Sequence, residues 1–341
     1  MTSSRTSSIV RTAMIGCGRM AYGHIKNMLA QQDTTSIQVV CEPSTAAYGA
    51  VCNLFKEHNL TPPPNEPDLD RLIQQYGSSL DAAFIITPHV YHYAQTKACL
   101  EAGIDVLLEK PMVITAAEAE GLIEARNRTG KLLVVAFPGS LSPQIRTAVQ
   151  LLRNGELGKI LNISGLAWEN WRTPNIGTWR QAPELSGGGF LFDTGAHLLN
   201  TITDLAGEDF SEVSAWFDNR ETPVEILAAV IARLKSGAMV TMNACGDTCT
   251  RSTSDVRVFC AQGVIFTNIW GHFLNIQRPG QAQPEPLDVA KSMGVWQQFL
   301  AVRNGAIPNP CPPEVGLRMA RLWDAIRASA AQDGKRISIG A

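Results

Sequence analysis

Met14-Ile15-Gly16-Cys17-Gly18-Arg19-Met20-Ala21 carries an apolar strand straight into two glycines and a small residue, spaced G-x-G-x-x-A. The first glycine permits a tight turn and the second lets the backbone approach a pyrophosphate. Ala21 lets the following helix pack close, with its first amides, those of Arg19 and Met20 among them, facing the phosphates. On its own the pattern would also suit any strand-to-helix turn built from small residues.

A second strand, Ile37-Gln38-Val39-Val40-Cys41, ends at Glu42, at the distance a dinucleotide site requires. A carboxylate there accepts both hydroxyls of an adenosine ribose and repels a 2'-phosphate, which favours NAD(H) and disfavours NADP(H). Ser44, just beyond, could donate to a phosphate and keeps the second cofactor open.

Outward from this turn, apolar runs alternate with segments of helical period. Strands are predicted at 12–15, 37–41, 82–87, 105–108 and 132–137, and helices at 20–30, 46–58, 69–76, 92–102 and 116–128, the last closed by Gly130. Strands separated by helices imply a parallel, doubly wound sheet, a Rossmann domain over residues 1–137. Ligands in such sheets sit at the carboxyl ends of the strands, which gathers Gly16, Glu42, Thr87-Pro88 and Glu109-Lys110-Pro111 around one crevice.

After Phe137 the texture changes. A helix at 143–152 precedes long runs at 160–168, 213–217, 224–235, 238–244, 255–260 and 264–268, with Ser236-Gly237 and Gln262-Gly263 as hairpin turns. Residues 138–341 therefore read as an α+β domain with a mostly antiparallel sheet, closed by a helix over 313–331 that packs back on the first domain.

Composition narrows the function. The chain has 341 residues, enough for two cores. Charged residues make up 18% and the net charge is -2, so no basic field draws nucleic acid or anionic lipid. No run of about 18 apolar residues predicts a membrane span. Thr2–Ser8 reads as a frayed tail without the apolar core of a signal peptide. Eight scattered cysteines read as reduced thiols of a cytoplasmic protein, and only Cys245 and Cys249 lie close, with no second pair at ligand spacing, so no metal site is expected.

Two further segments hold candidate chemistry. Ser186-Gly187-Gly188-Gly189 opens a run expected to be helical, in which Asp193 and His197 stand four apart and face the same way. Neutral imidazole accepts a proton near pH 7 and a carboxylate one turn away can orient its ring; a buried His tied to a carbonyl beside a capping Asp reads equally well. Lys110, at a strand end and aimed by Pro111, suits a proton carrier or a donor to a substrate hydroxyl if the cleft strips its hydration. Trp168-Glu169-Asn170-Trp171-Arg172 could stack on a sugar face and bind its hydroxyls, or pack a subunit interface.

The ordered set Gly16-x-Gly18-x-x-Ala21, Thr87-Pro88 with His92, Glu109-Lys110-Pro111, Trp179-Arg180, Gly187-Gly188-Gly189, Asp193, Gly195 and His197 resembles the glucose-fructose oxidoreductase and inositol dehydrogenase family. The resemblance runs from about Thr12 to Ile339. It implies a Rossmann domain followed by an open-faced domain whose sheet builds homodimers or homotetramers, and a Lys110-Pro111 bond that is often cis. It also implies catalytic roles: His197 moves the proton, Lys110 holds the substrate oxygen and Asp193 orients the site. Thr87, Pro88, His92 and Glu109 would contact cofactor, and Trp168, Arg172, Trp179 and Arg180 would contact substrate. Asn200, where the family often has an aspartate, and Phe137-Pro138-Gly139-Ser140 depart from its pattern.

The activity this implies is NAD(H)-dependent interconversion of a secondary alcohol and a ketone on a sugar, cyclitol or similar polyhydroxylated ring. Two other readings share the motifs: a glycoside hydrolase that retains NAD and oxidises only transiently, and a regulator that senses dinucleotide or sugar without chemistry.

Overall fold

The computed structural model describes residues 9–340, so the Thr2–Ser8 tail lies outside the described residues. Five strands, β1 (Val10–Ile15), β2 (Thr35–Cys41), β3 (Ala82–Ile85), β4 (Asp105–Leu108) and β5 (Leu133–Val135), form a parallel sheet in the order β2-β1-β3-β4-β5. Their near-continuous apolar sequence follows from burial on both faces: Met14, Val39, Phe84, Leu107 and Val134 are each fully buried. Helices α1 (Arg19–Leu29), α2 (Thr45–Glu57), α3 (Leu69–Tyr76), α4 (His92–Glu101) and α5 (Ala116–Thr129) make the connections. The last begins at a reciprocal Thr115–Glu118 capping box and stops at Gly130, which is left-handed at φ 66°. β5 is shorter than the expected run over 132–137, because Ala136 and Phe137 already turn into the short helix α6 (Pro138–Leu141).

Helix α7 (Pro143–Arg153) leads into a nine-stranded sheet. Its strands are β6 (Ile160–Trp168), β7 (Phe210–Asp218), β8 (Leu227–Leu234), β9 (Met239–Cys245), β10 (Thr253–Cys260), β11 (Gly263–Thr267), β12 (Leu274–Gln277), β13 (Glu285–Pro286) and β14 (Ile337–Ser338). The order is β13-β12-β11-β10-β6-β9-β8-β7-β14, with β8–β9 and β10–β11 joined at the predicted turns. One register was not foreseen: β6 lies between β10 and β9 and is parallel to β9, so the sheet is mixed. β8 begins at Leu227 and not at Val224, since the Glu225 carbonyl accepts from Phe190 N and Ile226 N bonds to Asp218.

The short helix α8 (Pro183–Ser186), helix α9 (Ala196–Ala206) and the C-terminal helices α10 (Val295–Arg303) and α11 (Pro313–Ala330) lock the two sheets together. From α10, Trp296 donates to Thr35 Oγ1 at 2.7 Å and stacks with Phe84. The Asp324 carboxylate on α11 accepts from Ala116 N at 2.9 Å, Arg321 bonds Glu120 at 3.0 Å, and Trp323 stacks on Phe192. The last helix thus packs back on α5 as expected, while its other side covers the second sheet. Among the described residues no helix is long and apolar enough to cross a membrane.

Candidate active site

At the end of β1, Gly16 is left-handed at φ 88°, and a Cβ there would stand 2.5 Å from the Ile86 carbonyl oxygen, so only glycine fits the turn. At Gly18 a Cβ would meet nothing within 4 Å, which leaves the backbone open to a ligand in front of α1. Gly18 caps that helix without any side-chain bond, Arg19 and Met20 are exposed on its first turn, and Ala21 is fully buried behind them. Amides left free at a helix N-terminus, beside a second glycine that offers no side chain, suit a pyrophosphate.

Glu42 closes the far side. Its carboxylate accepts from Cys17 N in the glycine turn and from Ser44 N, each at 2.7 Å, while Asn65 clamps its main chain from both sides. The carboxylate is thereby fixed at the end of β2 where a ribose would lie. Ser44 caps α2 with its hydroxyl, which accepts from Ala47 N at 3.3 Å and keeps its own hydrogen for another acceptor.

Glu109 and Lys110 follow β4, and the Lys110–Pro111 bond is cis. Glu109 accepts from Lys110 N at 2.9 Å and bonds His24 Nε2 of α1 at 2.9 Å. Burial pushes its carboxyl up, but the His24 bond and Lys110 outweigh that and hold it below the usual carboxylate range. Thr87 and Pro88 are half-buried at the end of β3. His92 departs from the role expected of it. Its ring is fully buried and braces two loops, with Nδ1 at 2.8 Å from the Pro111 carbonyl and Nε2 at 2.9 Å from that of Thr87, so it shapes the crevice without presenting a nitrogen to it.

Asp193 is the hub. One carboxylate oxygen accepts from Lys110 Nζ at 2.9 Å; the other accepts from Trp171 Nε1 at 2.9 Å and Arg180 Nε at 3.0 Å. Burial opposes its charge, yet Lys110, Arg180 and His89 outweigh burial and hold the carboxyl well below the usual range. This corrects the expected Asp193–His197 pairing. Helix α9 starts only at Ala196, so the two residues do not share a helical face, and Asp193 turns to the cations instead. Gly189 allows the turn, because a Cβ there would sit 2.0 Å from the Glu225 carbonyl oxygen. The Glu225 carboxylate fastens the same turn by accepting from Gly189 N at 2.7 Å and Phe192 N at 3.3 Å.

His197 lies 8% exposed between the edge of Phe137 and Trp270, whose ring centroids are 5.7 and 6.0 Å away. Burial and then Lys110 push its imidazole down to about 3, so the ring is neutral. Of the residues expected at the substrate, Arg180 reaches Asp193 and stacks its guanidinium on Trp179 at 4.6 Å. Arg172 pairs with Asp247 at 3.4 Å and Trp168 ends β6, and neither joins the Lys110–Asp193 group.

Three participants escaped sequence reasoning. His24 and Glu109 lie 85 positions apart, with nothing in either segment to pair them. His89, whose Nδ1 meets the Ser186 carbonyl at 2.7 Å, is buried under Trp179 and Asp193 and pushed down to about 3 by that burial; its place directly after Thr87-Pro88 was the available signal. Trp270 sits in an irregular loop between β11 and β12 that no periodicity marks.

Residues 10–137 match the family model for an oxidoreductase family with an NAD-binding Rossmann fold, and residues 145–266 match that for a GFO/IDH/MocA C-terminal domain. The chain is 26% identical over 207 residues to a D-glucoside 3-dehydrogenase of Escherichia coli (strain K12), covering 61% of this chain and 57% of that protein. It is 31% identical over 147 residues to a scyllo-inositol 2-dehydrogenase (NADP(+)) of Bacillus subtilis (strain 168), covering 42% and 40%. These matches span about half the length of the curated relatives. Among solved structures, an aldose-aldose oxidoreductase from Caulobacter crescentus complexed with glycerol superposes with a TM-score of 0.81 at 21% identity, over 97% of this chain and all of that one. A levoglucosan dehydrogenase in complex with NADH and levoglucosan gives 0.82 at 19%, over 98% and 100%.

Proposed function

Because the chain belongs to the GFO/IDH/MocA oxidoreductase family with its NAD-binding Rossmann fold, we propose that it is an NAD(H)-dependent dehydrogenase. It interconverts a secondary alcohol and a ketone on a sugar, cyclitol or similar polyhydroxylated ring. The observation that carries this reading is the Lys110–Asp193 pair, Nζ to Oδ1 at 2.9 Å, just past the carboxyl end of β4, with a neutral His197 near enough for Lys110 to push its imidazole down. The relatives named above act on sugars and a cyclitol, which supports the substrate class.

The nicotinamide, when bound, supplies a hydride acceptor at its C4. The residues supply the rest. Lys110 Nζ has three hydrogens, and two are committed to the Asp193 carbonyl at 3.0 Å and carboxylate at 2.9 Å. The third is free to hold a substrate oxygen. His197 in its neutral form accepts the hydroxyl proton at Nε2 while the carbon gives up hydride, so one proton and one hydride leave and a ketone remains. Asp193 fixes Lys110 from below; Arg180 and Trp171 fix Asp193.

Glu42, already anchored by Cys17 N and Ser44 N, supports NAD(H) over NADP(H), since a 2'-phosphate would have to lie against a fixed carboxylate. In this reading residues 1–137 bind the dinucleotide and 138–341 bind substrate and build a homo-oligomer. Leu166, Trp216, Ile231 and Met239, each at least 38% exposed on one face of the nine-stranded sheet, support the second role. The eight free thiols support a cytoplasmic setting. Lys110→Ala tests the assignment across a panel of polyols and sugars. Turnover falls by about 10²-fold or more with NADH binding retained, and full turnover would contradict it.

A further inference from the structure

Behind His197, helix α9 carries polar residues that the reaction above leaves unused. Asn200 and Asp204, three and seven positions on along the same helical face, are 1% and 0% exposed. Ser140 of α6, also fully buried, stands between them: Asn200 Nδ2 lies 2.7 Å from Ser140 Oγ, and Ser140 Oγ lies 2.6 Å from Asp204 Oδ2. Arg146 of α7 forms an ion pair with the same Asp204 oxygen.

The directions of these bonds are forced. A carboxylate only accepts, so the single hydroxyl hydrogen of Ser140 goes to Asp204. Ser140 Oγ can then only accept from Asn200, which must present its NH2 to Ser140 and keep Oδ1 for another donor. That Oδ1 is buried and has no partner among the described residues, and neither has His197 Nδ1, one turn earlier on the same face. The two carboxylates whose charge reaches the ring are both engaged elsewhere. Asp193 is taken up by Lys110, Arg180 and Trp171, and Glu109 by His24 and Lys110 N. A buried polar atom left unpaired is costly, and a site with two of them suits one ordered water.

We infer that Asn200, held in one orientation by Ser140 and Asp204, is the acceptor for His197 Nδ1–H, directly or through one buried water. The chain is therefore a positioning device that keeps Nε2 as the proton-accepting nitrogen. The need is greatest once Nε2 has taken the substrate proton, because imidazolium carries a hydrogen on both nitrogens and Nδ1–H then must have an acceptor. An amide turned the other way would aim its own hydrogens at the ring. The departures from the family pattern at Asn200 and Ser140 thus belong to one arrangement.

This inference rests on reading His197 as the proton acceptor, and its test separates the two. Nitrogen-15 NMR of the histidine-labelled full chain reads the His197 tautomer with no substrate present. The parent shows a protonated Nδ1 and a bare Nε2. Asn200→Leu, and independently Ser140→Ala should the first not fold, shifts the ring toward the other tautomer. In substrate assays each lowers kcat about 10-fold or more, with KM changed less than about threefold, because the lost support acts on the protonated state. Ser140→Thr, which keeps the hydroxyl, restores the parent tautomer. A parent ring protonated at Nε2, or a tautomer unmoved by both variants, would overturn the inference. A protein that turned over no polyol would instead sink the functional reading and leave the NMR result to stand by itself.

Discussion

Replacing Asp193 with asparagine keeps the side-chain shape and removes its charge. In the parent, three donors converge on the two carboxylate oxygens: Lys110 Nζ at 2.9 Å, Trp171 Nε1 at 2.9 Å and Arg180 Nε at 3.0 Å. An amide supplies one oxygen only. Whichever way it turns, its NH2 faces either the lysine or the Trp171–Arg180 pair, donor against donor. Removing one partner of a buried charge pair costs about 3–5 kcal/mol. The lower end applies here, since Lys110 keeps its bond to the Asp193 carbonyl at 3.0 Å and the Arg180 side chain, 28% exposed, can turn to water. About 3 kcal/mol, at roughly 2 °C per kcal/mol for a chain of this length, lowers the melting temperature by about 6 °C. Turnover falls further than stability alone explains, by about 10²-fold, because Lys110 loses the anchor that aims its third hydrogen. NADH affinity is unchanged, since the glycine turn and Glu42 make no contact with Asp193. Scanning calorimetry, a steady-state assay and an NADH fluorescence titration read the three quantities. An Asp193→Asn protein that melts within about 1 °C of the parent and turns over normally would refute the hub role.

Four other perturbations act on separate parts of the molecule. Gly16→Ala forces a left-handed φ on a residue with a Cβ, at about 1–2 kcal/mol before the contact with the Ile86 oxygen is counted, so both melting temperature and NADH binding fall. Gly18→Ala, with nothing within 4 Å of its Cβ, leaves melting unchanged and weakens NADH binding alone. Trp270→Ala raises KM for a polyol about 3- to 10-fold by removing a stacking surface beside His197, measured by initial rates; an unchanged KM would remove Trp270 from the substrate wall. Burial pushes Glu225 up to about 7 from an ordinary 4.5. The folded chain therefore holds that proton more tightly than the unfolded one. Its contribution is full below about pH 4.5 and is lost as pH rises to about 7, so thermal melts should show a decline across that window that Glu225→Gln flattens.

Much of this was legible in the chain. The glycine turn, the apolar strands buried on two faces and the Gly130 cap each follow from local rules, and they place Gly16, Glu42 and Lys110 at strand ends. What stayed hidden depends on long-range contact. An i,i+4 spacing suggested Asp193 beside His197, but the Gly187–Gly189 turn delays the helix to Ala196 and Asp193 swings to Lys110. His92 looked like a ligand and is a brace, because both ring nitrogens face carbonyls 19 and 5 positions away, one of which accepts its single N–H. The parallel β6–β9 pairing arises from a crossover that no hairpin signal announces.

NAD(H)-dependent oxidoreduction is read out by titrating the purified protein with NADH and NADPH by fluorescence, then following reduced-cofactor absorbance with a panel of sugars, cyclitols and keto-sugars. NADH binds more tightly than NADPH, and reduced cofactor is formed or consumed in proportion to product. Cleavage of a chromogenic glycoside with no net NADH would contradict it in favour of the NAD-retaining hydrolase, and binding without any turnover would leave only a sensor.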